Sequence, residues 1–283
     1  MNSDQNLDMA NNIDITFPDN LVIPKYLVTE INALDHIGIS FNNEWPLSVI
    51  FDKKSMSEYN QIFSFLLKIQ RVIYILSKKD LWSHSHKELY HRRRNRQEED
   101  EDEADLRNLA EENSKIYNAY QHKFLLFQRE LLHFAKNFEI FIKTRVLLHC
   151  TAEFEKNFSN AENMDTLIRF HTGFLNKVLN LCLLQQSSQK LRETILNVLN
   201  NAIQLRECFK KFVELDLHSE SMKLEVHNIM KEFARLQENH QICMRFITAF
   251  MEKKTKSNLT SHLDDAYCRL NFNYFYSVIK GHP

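Results

Sequence analysis

The side chains in this sequence with the capacity for chemistry are thirteen histidines, five cysteines and two opposed blocks of charge. His84-x-His86 with His91 invites a metal reading, but no cysteine or carboxylate stands at a recognised ligand spacing beside them, so no metal site is assigned. Cys150, Cys182, Cys208, Cys243 and Cys268 are odd in number, widely separated and set in helical patterns. That usage fits free thiols in a reducing intracellular compartment better than a disulfide framework or a CxxC site. His133 and His171 are read onto apolar helical stripes, where a hydrogen-bonded core histidine is the ordinary reading. A Gly-rich phosphate loop, a Ser/His/Asp arrangement with a local signature and a carboxylate pair in an apolar setting are all missing. Catalytic residues and a cofactor are therefore not expected.

Charge offers binding chemistry instead. His91-Arg92-Arg93-Arg94-Asn95-Arg96 resembles a nucleic-acid or nuclear-localisation patch, but Glu98 to Glu103 follow at once and neutralise it within about a Debye length. Neither block has an apolar face, so residues 91–110 read as a flexible charged connector and nucleic acid is not an expected partner. Lysine and arginine total 36 against 37 aspartates and glutamates, so a charge-driven partner requires a local patch. One candidate closes the chain, where Arg269, Asn271, Asn273 and Tyr276 combine a fixed charge, amides and an aromatic with a polar end. Such side chains are enriched where interfaces carry their binding energy. Phe272 and Phe275 support an equal alternative, in which the tail folds back onto the body of the protein.

The elements that position these residues are helices. Only Gly38, Gly173 and Gly281 are glycines, and no proline lies between Pro46 and Pro283, so little interrupts helical structure. Tyr117, Tyr120, Phe124, Phe127, Leu131, Phe134, Phe138 and Phe141 step by three and four, which predicts one long central helix over Tyr117–Phe158. Leu125, Leu132, Ile142, Val146 and Phe154 widen its stripe, so neighbours must cover it from more than one side. Further stripes follow from Ile62 to Leu76, Met164 to Leu181, Leu191 to Phe212, Val226 to Phe250 and Leu259 to Leu270. The first of these is expected to start at Ser55, in a Ser55-x-x-Glu58 capping box, with Lys68, Arg71, Lys78 and Lys79 on its solvated side. Ile13–Phe17 and Ile37–Phe41 alternate as a small β-hairpin would.

The expected fold is all-α, an elongated helical bundle with long antiparallel helices and one small β-hairpin near the N-terminus. Residues 1–12 read as a disordered leader and 13–283 as one domain. No apolar run reaches the roughly 18 residues of a membrane span, and residues 1–12 lack the apolar core of a signal peptide, so membrane insertion is not expected.

Several motifs in order resemble the C-terminal domain of the gamma-tubulin complex components. They are Ile37-Gly38-Ile39-Ser40-Phe41 with Trp45-Pro46-Leu47, and Tyr59-Asn60-x-x-Phe63-x-x-Leu66-Leu67-x-x-x-Arg71-Val72. Leu132-His133-Phe134, Asp165-x-Leu167-Ile168-x-x-His171-x-x-Phe174-Leu175 and Arg269-Leu270-Asn271-Phe272-Asn273-x-Phe275-Tyr276 complete the series. The terminal motif and the short loop near Ser187 are most similar to component four, with component five a close rival. The resemblance implies a non-catalytic scaffold that binds gamma-tubulin and other complex components and supports microtubule nucleation at centrosomes, spindle poles and other organising centres of the cytoplasmic cytoskeleton. Under it, Arg269, Asn271, Asn273 and Tyr276 become candidate gamma-tubulin contacts. A helical tethering or adaptor subunit of vesicle traffic is the alternative, sharing the periodicity but not the ordered motifs.

Overall fold

The computed structural model describes residues 13–17, 30–42, 45–78, 82, 101–216, 219, 221–256, 261–271 and 276, with backbone alone at 101–110, 255–256 and 261–262. Strand β1 (Ile13–Thr16) pairs antiparallel with β2 (Gly38–Phe41), Ile13 opposite Phe41 and Thr16 opposite Gly38, as the alternation predicts. A 3-10 turn (Ile31–His36) leads into β2. Helices α1 (Leu47–Ile50), α2 (Lys53–Ser77) and α3 (Glu101–Phe141) follow, and α3 passes through a π-helical segment (Ile142–Leu148) into α4 (His149–Ser159). Then come α5 (Met164–Leu181), α6 (Gln189–Val213), α7 (Met222–Lys256) and α8 (Ser261–Leu270).

α3 is the axis of the bundle. Its 41 residues span about 60 Å, and Tyr117, Phe124, Phe127, Leu131, Phe134, Phe138 and Phe141 of the expected stripe are buried. Their rings meet several helices in turn. Tyr117 stacks on Phe212 of α6 at 4.4 Å, Phe124 meets Phe233 of α7 at 4.6 Å, and Phe138 takes the edge of Phe65 of α2 at 6.1 Å. These three helices, with α8 beside them, cover α3 from several sides, which is why its apolar stripe is wider than a two-stranded seam. The pairings also give direction. Glu112, Phe124 and Glu130 meet Lys223, Phe233 and His240 in rising order, so α3 runs parallel to α7. Lys211–Glu232 and Asn201–Asn239 set α6 antiparallel to α7.

The hairpin is tied to α2 by Asn60. Its Oδ1 accepts the Ile39 N–H at 2.6 Å, and its Nδ2 donates to the Ile39 carbonyl at 2.9 Å, so one side-chain amide replaces a third strand. A Cβ at Gly38 would lie 3.0 Å from both Asn60 Oδ1 and Thr16 Oγ1. A larger residue there would have to push both side chains aside by a few tenths of an ångström.

Four expectations need correction. The N-cap of α2 is Asp52, whose carboxylate accepts the Ser55 N–H at 2.7 Å, so Ser55 lies in the first turn and does not open the helix. Lys68 is buried: its ammonium pairs with Asp35 at 2.6 Å and donates to Asn32 at 3.2 Å, holding the 3-10 turn against α2. Arg71 works beside it, donating to the Glu30 carbonyl at 2.8 Å. His133 is exposed, one position off the buried row that includes Phe134. Residues 101–110, expected as connector, are the opening turns of α3. The leader at 1–12, the connector at 91–100, His84, His86, Lys79 and Asn273 lie outside the described residues.

Candidate functional site

Three elements converge where α8 packs against α3 and α7, and the terminal motif sits at that junction. Arg269 occupies the last turn of α8 and donates from Nε to Asp265 Oδ2 at 2.8 Å, an i,i+4 pair along one helix face. Asp265 Oδ2 also receives Arg145 Nε at 3.3 Å, from the π-helical segment. The hydrogen bond from Arg269 is the main cause holding the Asp265 carboxyl below its ordinary value, with Arg145 adding to it against a burial penalty. The π-helical segment buries Ile142 and Val146 while leaving Arg145 outside.

Asn271 and Tyr276 turn inward. Asn271 Oδ1 accepts the Tyr276 N–H at 3.2 Å, and Asn271 Nδ2 donates to the Tyr267 hydroxyl at 3.2 Å, so the amide bridges the last turn of α8 to the tail. The Tyr276 hydroxyl donates to Glu130 Oε1 of α3 at 2.9 Å, and the same oxygen lies 3.2 Å from His240 Nε2 of α7. Glu130 is the hub of that network. Burial pushes its carboxyl upward, but the hydrogen bond and charge of His240 and the Tyr276 hydroxyl outweigh burial and leave it below the usual glutamate value. Burial, and then the charge of Glu130, drives the Tyr276 phenol far up, so it stays protonated as a donor. Both rings are walled by aromatics: His240 faces Phe127 at 5.4 Å and Tyr276 at 6.4 Å.

Of the expected contact residues, the structure thus places Arg269 at the surface, Asn271 and Tyr276 inside the junction, and brings the three together around the end of α8. Sequence reasoning missed Arg145, Asp265, Glu130 and His240 as their partners. The i,i+4 spacing of Asp265 and Arg269 was a usable signal; Glu130 had only a weaker one, a charge set between Phe127 and Leu131 of the buried stripe.

Other chemistry-bearing groups are structural. His171 is buried between Phe51 and Phe154, with Nε2 3.0 Å from the Tyr59 hydroxyl, and burial lowers its pKa against the opposing charge of Asp52. Cys150, Cys182, Cys208 and Cys243 are free and buried, and burial pushes Cys182 and Cys208 up to about 12. Among the described residues no group of three or more His, Cys, Asp or Glu is placed to hold a metal, and no helix is long and apolar enough to cross a membrane.

Comparison with known proteins gives the family of the chain. A family model described as gamma tubulin complex component C-terminal matches residues 2–276. Gamma-tubulin complex component 5 of Mus musculus is 25% identical over 177 residues, which are 62% of this chain and 17% of that protein. The component 5 of Macaca fascicularis is 27% identical over 176 residues, 61% of this chain and 23% of the relative. Gamma-tubulin complex component 3 of Homo sapiens is 23% identical over 172 residues, 61% of this chain and 17% of the relative. The matched region spans less than a quarter of each of these relatives. These matches carry the family and include the component that the motifs ranked second; none of the three carries the leaning to component four.

Proposed function

The chain belongs to the gamma-tubulin complex component family, matching its C-terminal region, and from that premise we propose that it is a non-catalytic scaffold subunit that binds gamma-tubulin. The single observation that carries this reading is the extent of the family match, residues 2–276 of a 283-residue chain. In this role the chain joins other gamma-tubulin complex components and supports microtubule nucleation at the centrosome, spindle pole or another organising centre. The bundle supplies the rigidity such a role requires, because α3 is braced by α2, α6 and α7 along its length.

The contact surface proposed here is the junction of α8 with the end of α3. Arg269 meets the partner directly. Asn271 and Tyr276 act by fixing the tail, and Asn273 lies between them in sequence. Capture tests the reading: the purified chain, immobilised, should retain purified gamma-tubulin, and the Arg269→Ala, Asn271→Ala double variant should retain it at least about 2 kcal/mol more weakly. Full retention by the double variant would remove the tail from the contact surface.

A further inference from the structure

On the reading that the α8 junction faces gamma-tubulin, we propose that Arg145 and Arg269 together form one recognition point for a carboxylate of that partner, with Asp265 as the internal anion it competes against. The two arginines come from elements far apart in sequence, yet both place Nε on the same oxygen, Asp265 Oδ2, at 3.3 and 2.8 Å. Two positive charges thus meet one negative charge, and the point carries a net excess of one. Lys143, on the same segment, leaves that excess unchanged because it is paired with Glu139.

The bonding leaves donors to spare. Each guanidinium engages Asp265 through Nε, and no further bond of either group is formed among the described residues. The planar Nη pairs are therefore available for the two-pronged contact that guanidinium makes with carboxylate. They are also reachable, since the Arg145 side chain is 57% exposed and that of Arg269 is 36% exposed, whereas Asp265 between them is 23% exposed. Leu148, on the same segment as Arg145, is 67% exposed. Arginine is enriched at interface centres.

The experiment is gamma-tubulin affinity, read as Kd at two salt concentrations, for the parent chain, Arg145→Gln, Asp265→Asn and the Arg145→Gln, Arg269→Gln double variant, with melting followed for each. Arg145→Gln should bind about tenfold more weakly, with a shallower salt dependence and parental melting. The double variant should be weaker again. Asp265→Asn should bind about threefold more tightly, because the internal competitor is gone while both arginines stay charged. An Arg145→Gln chain with parental Kd and parental salt dependence would overturn this site and leave the scaffold reading standing. Weaker binding by Asp265→Asn would overturn the competition, showing that Asp265 only braces the arginines. Failure of the parent chain to bind would overturn the scaffold reading and this inference with it.

Discussion

Tyr276→Phe isolates the latch that holds the tail. The substitution keeps the buried ring and deletes one hydroxyl, whose bond to Glu130 is 2.9 Å long. A hydrogen bond to a charged partner contributes about 1.5 to 3 kcal/mol. The Glu130 side chain keeps 31% of its surface open to water, which takes over part of that bond, so a cost of about 1.5 kcal/mol is expected. For a chain of 283 residues the unfolding entropy is about 0.6 kcal/mol/K, which converts this into a drop in Tm of about 2 to 3 °C. Tyr276→Ala also removes a ring packed against His240 and should cost about 3 to 5 kcal/mol. Urea unfolding of the parent, Tyr276→Phe, Glu130→Gln and the double variant closes a cycle whose coupling should exceed about 0.5 kcal/mol. Equal midpoints for Tyr276→Phe and the parent, with zero coupling to Glu130, would refute the latch.

Three further outcomes follow from the core. Phe138→Ala should cost about 3 to 5 kcal/mol in urea unfolding, because the ring is buried among Phe65, Phe134 and Phe141; a parental midpoint would contradict its central placement. Asp35→Ala should cost about 2 kcal/mol and Lys68→Met less than about 1 kcal/mol, since only the first leaves a buried ammonium without its counter-ion; the reverse order in melting would refute the pairing. His171 has a folded pKa below its unfolded value, so the unfolded chain binds the extra proton and stability falls as pH drops from about 7 towards 5. His171→Gln should flatten that slope, and an unchanged slope would assign it to another group.

The bundle was legible because its aromatic residues repeat at helical spacing: Phe124, Phe134 and Phe138 could be placed on one face without knowing what covers them. The hairpin was legible for the same reason at a period of two. Periodicity assigns charges outward, and that is where it failed for Lys68, whose partners Asn32 and Asp35 come from a turn more than thirty residues earlier. The opening of α3 was hidden because it starts in the acidic run Glu101-Asp102-Glu103, while Leu106, Leu109 and Ala110 already carry the helical spacing that leads to Tyr117. Sequence named the tail motif through residue type but left its direction open. Tyr276 and Asn271 turn inward because Glu130 and Tyr267 offer them hydrogen bonds, while Arg269 stays at the surface opposite Arg145, which nothing in the local spacing announces.

The most direct test of the central claim is the affinity of this chain, on its own, for purified gamma-tubulin in solution. The account predicts saturable one-to-one binding that weakens with added salt and is reduced about tenfold by Arg145→Gln. No binding by a chain whose helicity and melting show it folded would contradict it.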